Sequence, residues 1–114
     1  MSYNRLSRLN FLDMIYWDEN VVDIPGVYIF YKTKSGPPRY VGRADTNLYR
    51  RMKGRHWEYK YYRFKHCETE QDAYHWECIY WHKYQDTIDN SRQNGGNHPA
   101  NPKWKNIYCP ICDF

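Results

Sequence analysis

The chain contains no apolar run approaching the roughly 18 residues of a membrane-spanning helix, so a helical span is excluded. Its opening residues, MSYNRLSRLNFLD, mix charged and apolar side chains and lack the basic-then-apolar order of a secretory leader. No internal repeat or linker divides it, and its 114 residues leave no room for two full domains. These absences predict a soluble, cytoplasmic, single-domain protein. What is abundant is aromatic surface, 19% of the chain, with 13 Tyr, 5 Trp and 4 Phe. That much excludes a disordered or low-complexity chain and supplies a core. The mean hydropathy of −1.04 reflects how much of this surface is tyrosine, with its polar handle.

Acidic residues are scarce in one segment. Between Lys32 and Lys65 lie eleven of the 17 Lys/Arg and two of the 13 Asp/Glu, a local +9 against −5 elsewhere. Tyr49, Trp57, Tyr59, Tyr61 and Tyr62 are interleaved with these cations. A one-sided positive field with aromatics among the charges suits a polyanion, and nucleic acid above all. The plainer reading is a solvated basic face with core aromatics behind it.

The hydrophobic pattern predicts an α+β fold, a small antiparallel-type three-stranded sheet flanked by helices. Leu6, Leu9, Leu12 and Ile15 recur at helical spacing. After Pro25-Gly26, Val27 to Tyr31 reads as a buried strand. Ser35-Gly36-Pro37-Pro38 turns the chain into a second strand, Arg39 to Gly42. Thr46 or Asn47 caps a helix running to about His56, and Tyr59 to Cys67 is the third strand. Thr69, with Asp72 three residues on, caps the longest helix. The domain is thus expected to span 1–114, with a core over about 25–84 and a loop-rich tail over 87–114.

Two residues conflict with this pattern. Ala73, Trp76, Tyr80, Trp81 and Tyr84 form one apolar stripe, yet Glu77 lies within it. A carboxylate there loses hydration unless a cation compensates, so it either snorkels at the stripe edge beside an arginine or holds a divalent metal. Arg51 likewise falls between Leu48 and Met52 on one helix face. Its guanidinium either packs by its stem or points into a pocket to grip an anion bidentately.

Gly26-Val27-Tyr28 and Tyr40-Val41-Gly42, with eleven residues between the two tyrosines, resemble the paired triplets of the GIY-YIG nuclease superfamily. The resemblance extends to Arg43 after the second triplet, to Leu48-Tyr49-Arg50-Arg51 opening a helix, and to Ala73 and Glu77 on the next one. It covers about half the chain. It implies a metal-dependent DNA endonuclease with Tyr28 and Tyr40 at the cleavage centre, Arg51 on the scissile phosphate and Glu77 as ligand to one Mg²⁺ or Mn²⁺. Arg43 stands where relatives often carry Lys, and His56 where many have a His or another ring. One extra residue separates Gly42 from Leu48, and the family's late Asn corresponds to Asn90, Asn97 or Asn101. An unperturbed Tyr titrates near pH 10, so a base role needs nearby positive charge, which Arg43 and Arg51 can supply. For any single tyrosine of the 13, core filling is the plainer assignment.

The four cysteines pose a separate question. Cys109-Pro110-Ile111-Cys112 is half of a zinc site, and Cys78 and His82, one helical turn apart, are the expected second pair. His66, Cys67, His75 and His98 are the substitutes. A structural zinc would tie the tail to the third helix. The alternative is an inert terminal dithiol with buried helix thiols. Three functions follow: a DNA endonuclease, with a protein partner or homodimer choosing the target; a non-cleaving nucleic-acid adaptor of the same fold; and a zinc-dependent interaction module.

Overall fold

A computed structural model describes residues 6–54, 58–102 and 109–112. The fold is α+β. Its sheet has four antiparallel strands, β1 (Asn10–Phe11), β2 (Gly26–Tyr31), β3 (Tyr40–Ala44) and β4 (Tyr61–His66), in the order β1-β4-β2-β3. Helix α1 covers Leu48–Lys53 and α2 covers Glu70–Lys83; short 3-10 turns occupy Leu12–Trp17 and Arg92–Asn94. Among the described residues no helix is long and apolar enough to cross a membrane.

The central strand β2 is buried along its whole length, which is why GVYIFY reads as an unbroken apolar run. Its side chains alternate between two cores. Tyr28 and Phe30 join Leu12, Ile15, Leu48 and Met52 on one face. Val27, Ile29 and Tyr31 join Ala73, Tyr80 and Trp81 on the other. The sheet is therefore sandwiched between α1 with the first 3-10 turn and α2. Thr69 caps α2 as expected, its hydroxyl accepting from the Asp72 N–H at 3.1 Å.

Three expectations need correction. The sheet has a fourth strand, because Asn10–Phe11 pairs with Tyr61 and Tyr62. The leucine spacing near the N-terminus does not mark one helix. Leu12 and Ile15 share a face of a 3-10 turn, whose period is three, while Leu6 and Leu9 pack against the opposite core. Strand β4 is shorter than Tyr59 to Cys67: it runs from Tyr61 to His66, and Cys67 bonds through its backbone N–H to Pro25 O, outside the ladder.

The exposed edge of β3 is covered by the loop after α2. Asn90 imitates a strand there, donating from Nδ2 to Val41 O at 2.8 Å and accepting from Val41 N–H at 3.3 Å. Trp81 Nε1–H donates to Asn90 O at 2.9 Å, and Asp89 accepts from Arg39 and Tyr59. This loop fixes β3 against α2 and so sets the spacing of the side chains between them.

Candidate active site and metal centre

Arg43 follows Val41 by two residues and points to the same face of β3, toward α2. On α2, Glu77 stands one turn from both buried Ala73 and buried Trp81, so it faces the sheet too. The two meet: Arg43 Nη1 donates to Glu77 Oε1 at 2.7 Å, and Arg43 Nε donates to Asp45 Oδ1 at 2.8 Å. The paired side chains are 12% and 13% exposed, while Asp45 is 38% exposed. Exposed Arg51, from α1, and Ala100, from the tail, complete a cleft of about 210 Å³. Leu48 and Met52 are buried beneath α1 while Arg51 turns outward, so the helix-face conflict resolves with Arg51 on the cleft.

Two guanidiniums and two carboxylates make this cleft neutral overall but strongly polar. Burial pushes the Glu77 carboxyl up, and Arg43 opposes that shift. Burial acts to lower Arg43, but its bonds to Asp45 and Glu77 outweigh it and hold the guanidinium firmly protonated. Because both partners are desolvated, losing Arg43 leaves the buried Glu77 carboxylate uncompensated, whereas losing Glu77 leaves Arg43 paired with Asp45 alone. The carboxylate oxygens of Glu77 and Asp45 are the hard donors that Mg²⁺ or Mn²⁺ takes.

Tyr28 and Tyr40 are not among the residues lining this cleft. They stack on each other with centroids 6.2 Å apart on the α1 face, Tyr28 within the core at 2% exposed and Tyr40 half-buried against it. The register explains the coupling of the two triplets. Tyr28 lies opposite Gly42, and its ring covers that glycine so closely that a Cβ there would sit 2.4 Å from Cζ and Oη. His56 lies outside the described residues. Of the three late asparagines, Asn90 serves the β3 edge, and Asn97 and Asn101 are exposed. The sequence pattern does not single out Asp45; its one signal is that it is acidic in a segment otherwise rich in cations.

A second cluster lies at the other end of α2. His82, His98, Cys109 and Cys112 bring one donor atom each to within 4.8 Å of one another, and such a set can hold a zinc-like ion. Three of the four are the expected ligands, but His98 stands in the place given to Cys78. Cys78 is buried against Tyr74 and Cys109, where burial first, with Cys109 and Glu77 nearby, pushes its thiol up to about 12. The other substitutes are elsewhere. Cys67 is buried beside Lys65 O, His66 accepts from the Val22 N–H, and the His75 ring lies against Tyr74. His98, which follows the Gly95-Gly96 turn, is the substitute carried back to His82.

Comparison of the chain with models of known families, with curated proteins and with solved structures found no match.

Proposed function

We propose that this chain is a metal-dependent DNA endonuclease of the GIY-YIG type, hydrolysing one phosphodiester bond per event. The observation that carries the reading is the cleft itself. Arg43, Arg51 and Glu77, singled out by an ordered motif across three elements, converge on one polar cavity with a desolvated carboxylate. Glu77, aided by Asp45, would hold Mg²⁺ or Mn²⁺, leaving most coordination to water and phosphate oxygens. Such an ion, when bound, acidifies a water and neutralises charge developing on the phosphate.

The remaining work falls to the chain's own groups. Arg51, exposed on the rim, presents its planar fork to the phosphate. Arg43 is tied to two carboxylates, Asp45 and Glu77; were Glu77 to hold a cation, Arg43 Nη1 would be available to the same anion. The positive segment from Lys32 to Lys65 draws the DNA backbone to this side. Tyr40, half-buried at the start of β3, is better placed than the buried Tyr28 to exchange a proton with solvent or substrate. A single centre cuts one strand, so double-strand breaks require a second copy or a protein partner.

The test is nicking of supercoiled plasmid with Mg²⁺, Mn²⁺ or EDTA. Divalent-dependent nicking is expected, with Glu77→Gln and Arg51→Ala each reducing it about 10²–10³-fold while DNA retention in a gel shift persists. Undiminished nicking in EDTA or in Glu77→Gln refutes the assignment. The closed Arg43–Glu77 pair favours one second reading, a nucleic-acid adaptor that binds without cutting. In that case DNA is retained and no metal elicits a nick.

A further inference from the structure

Three features lie outside the proposed reaction: the exposed aromatic patch around Phe11, Met14 and Trp17, the buried Lys65 beneath Trp76, and the cluster at the far end of α2. Only the cluster gathers ligand chemistry in one place. We propose that His82, His98, Cys109 and Cys112 form a closed tetrahedral zinc site that holds the tail wall of the Arg43–Glu77 cleft in place.

Geometry supports the ion. With bond lengths of about 2.3 Å to sulfur and 2.0–2.1 Å to nitrogen, a tetrahedral zinc separates a sulfur from a nitrogen donor by about 3.5 Å. The observed Sγ···Nε2 separations are 3.5 Å for Cys109–His82, 3.3 Å for Cys112–His82 and 3.6 Å for Cys112–His98. Two thiolates and two imidazoles are the donor set that selects zinc over the hard cations of the cleft. The surroundings are also those of a ligand shell. His98 Nδ1 lies 2.9 Å from Pro99 O, which fixes that nitrogen as the N–H and leaves Nε2 free to ligate. Cys109 is itself buried, packed against Cys78 and Tyr74. Four protein ligands leave no open position, so the ion's role is structural.

The link to the cleft is a chain of contacts. Cys109, Cys78 and Tyr74 pack together as one buried group, and the Arg43 guanidinium lies 5.1 Å from the centre of the Tyr74 ring. From the other side, His98 precedes by two residues Ala100, which lines the cleft. His82 shares α2 with Glu77. Withdrawing the ion frees the tail, removes one wall and loosens the stack on which Arg43 rests. The ion itself does not depend on the nuclease reading; only the consequence for the cleft does.

The experiment uses the full chain without a polyhistidine tag. Metal analysis should find one zinc per chain, and Co²⁺ in its place should give the intense visible bands of a tetrahedral site with thiolate charge transfer. His98→Asn and Cys112→Ser should lose that spectrum, whereas Cys78→Ser should keep it with affinity reduced by no more than about 10–100-fold. In ¹⁵N NMR of the wild type, chelating the zinc should shift the Arg43 Nε–H resonance. Protein that binds no stoichiometric zinc or cobalt, or that carries a Cys109–Cys112 disulfide, overturns the site. An ion bound with the spectrum lost in Cys78→Ser and kept in His98→Asn overturns the ligand set. Zinc release without movement of Arg43 overturns the wall. None of these readouts requires cleavage, so a zinc-loaded chain that never nicks DNA refutes the nuclease and leaves this site standing.

Discussion

Gly42→Ala isolates the contact that joins the two triplets. A Cβ built on Gly42 lies 2.4 Å from Tyr28 Cζ, 2.4 Å from its Oη and 2.7 Å from Cε2. Ordinary carbon contacts are about 3.5–4.0 Å, so the ring tip must retreat by roughly 1 Å. It has nowhere to go: Tyr28 is 2% exposed, with Phe30 at 4.9 Å and Tyr40 stacked at 6.2 Å between centroids. Overpacking of this kind costs about 1–3 kcal/mol. The substitution also restricts the unfolded chain, which stabilises by about 0.4–1 kcal/mol where the backbone conformation is allowed. Gly42 has no positive φ, Gly95 being the described glycine that does, so that gain applies. Packing wins by about 0.5–2 kcal/mol, which lowers Tm by roughly 2–8 °C at this size. Thermal unfolding followed by circular dichroism measures it, alone and in a Tyr28→Leu background. The penalty should largely vanish when the ring is gone. A Tm that rises in Gly42→Ala, or a penalty of equal size in the Tyr28→Leu background, would falsify the account.

Two further perturbations probe the frame around the cleft. Burial holds His66 below the ordinary histidine range, with Asp18 opposing, and its Nε2 accepts from the Val22 N–H at 3.2 Å, which only the unprotonated ring can do. The unfolded chain therefore takes up the proton first, so stability is full above about pH 6.5 and declines as pH falls from there toward the folded pKa. Urea unfolding at a series of pH values should show this slope in the wild type and a flatter one in His66→Gln, whose amide oxygen still accepts; identical slopes refute it. Asn90→Ala strips two hydrogen bonds from Val41 and should cost about 1–3 kcal/mol in the same assay. A loss too small to resolve means that water replaces the amide at the β3 edge.

Much of the frame is legible in the sequence because it is written in local periodicity. The unbroken apolar run of β2, the turn at Ser35-Gly36-Pro37-Pro38 and the Thr69 cap each depend on neighbours a few residues apart. The N-terminal segment departs from its pattern for the same reason: a spacing of three fits both a helix and a 3-10 turn, and does not say that the chain crosses from one core to the other between Leu9 and Leu12. Strand β1 is illegible, since two residues carry no period and acquire their form from β4.

The candidate site divides along the same line. From the residues alone came the misfit of Glu77 within its apolar stripe and the exposure conflict at Arg51, because a charge among apolar positions is visible in the order of the letters. Folding decided which charges meet. Glu77 is 34 residues from the Arg43 that neutralises it, and Asp45 became its competitor only when both touched one guanidinium. It also withdrew Tyr28 from the cleft by laying its ring on Gly42. Likewise a Cys-x-x-Cys pair announces a metal, but four histidines and two other cysteines competed for the remaining places. His98 rather than Cys78 completes the donor cluster because proximity is a matter of angstroms in space, and a distance along the chain says nothing about that until the tail is folded back.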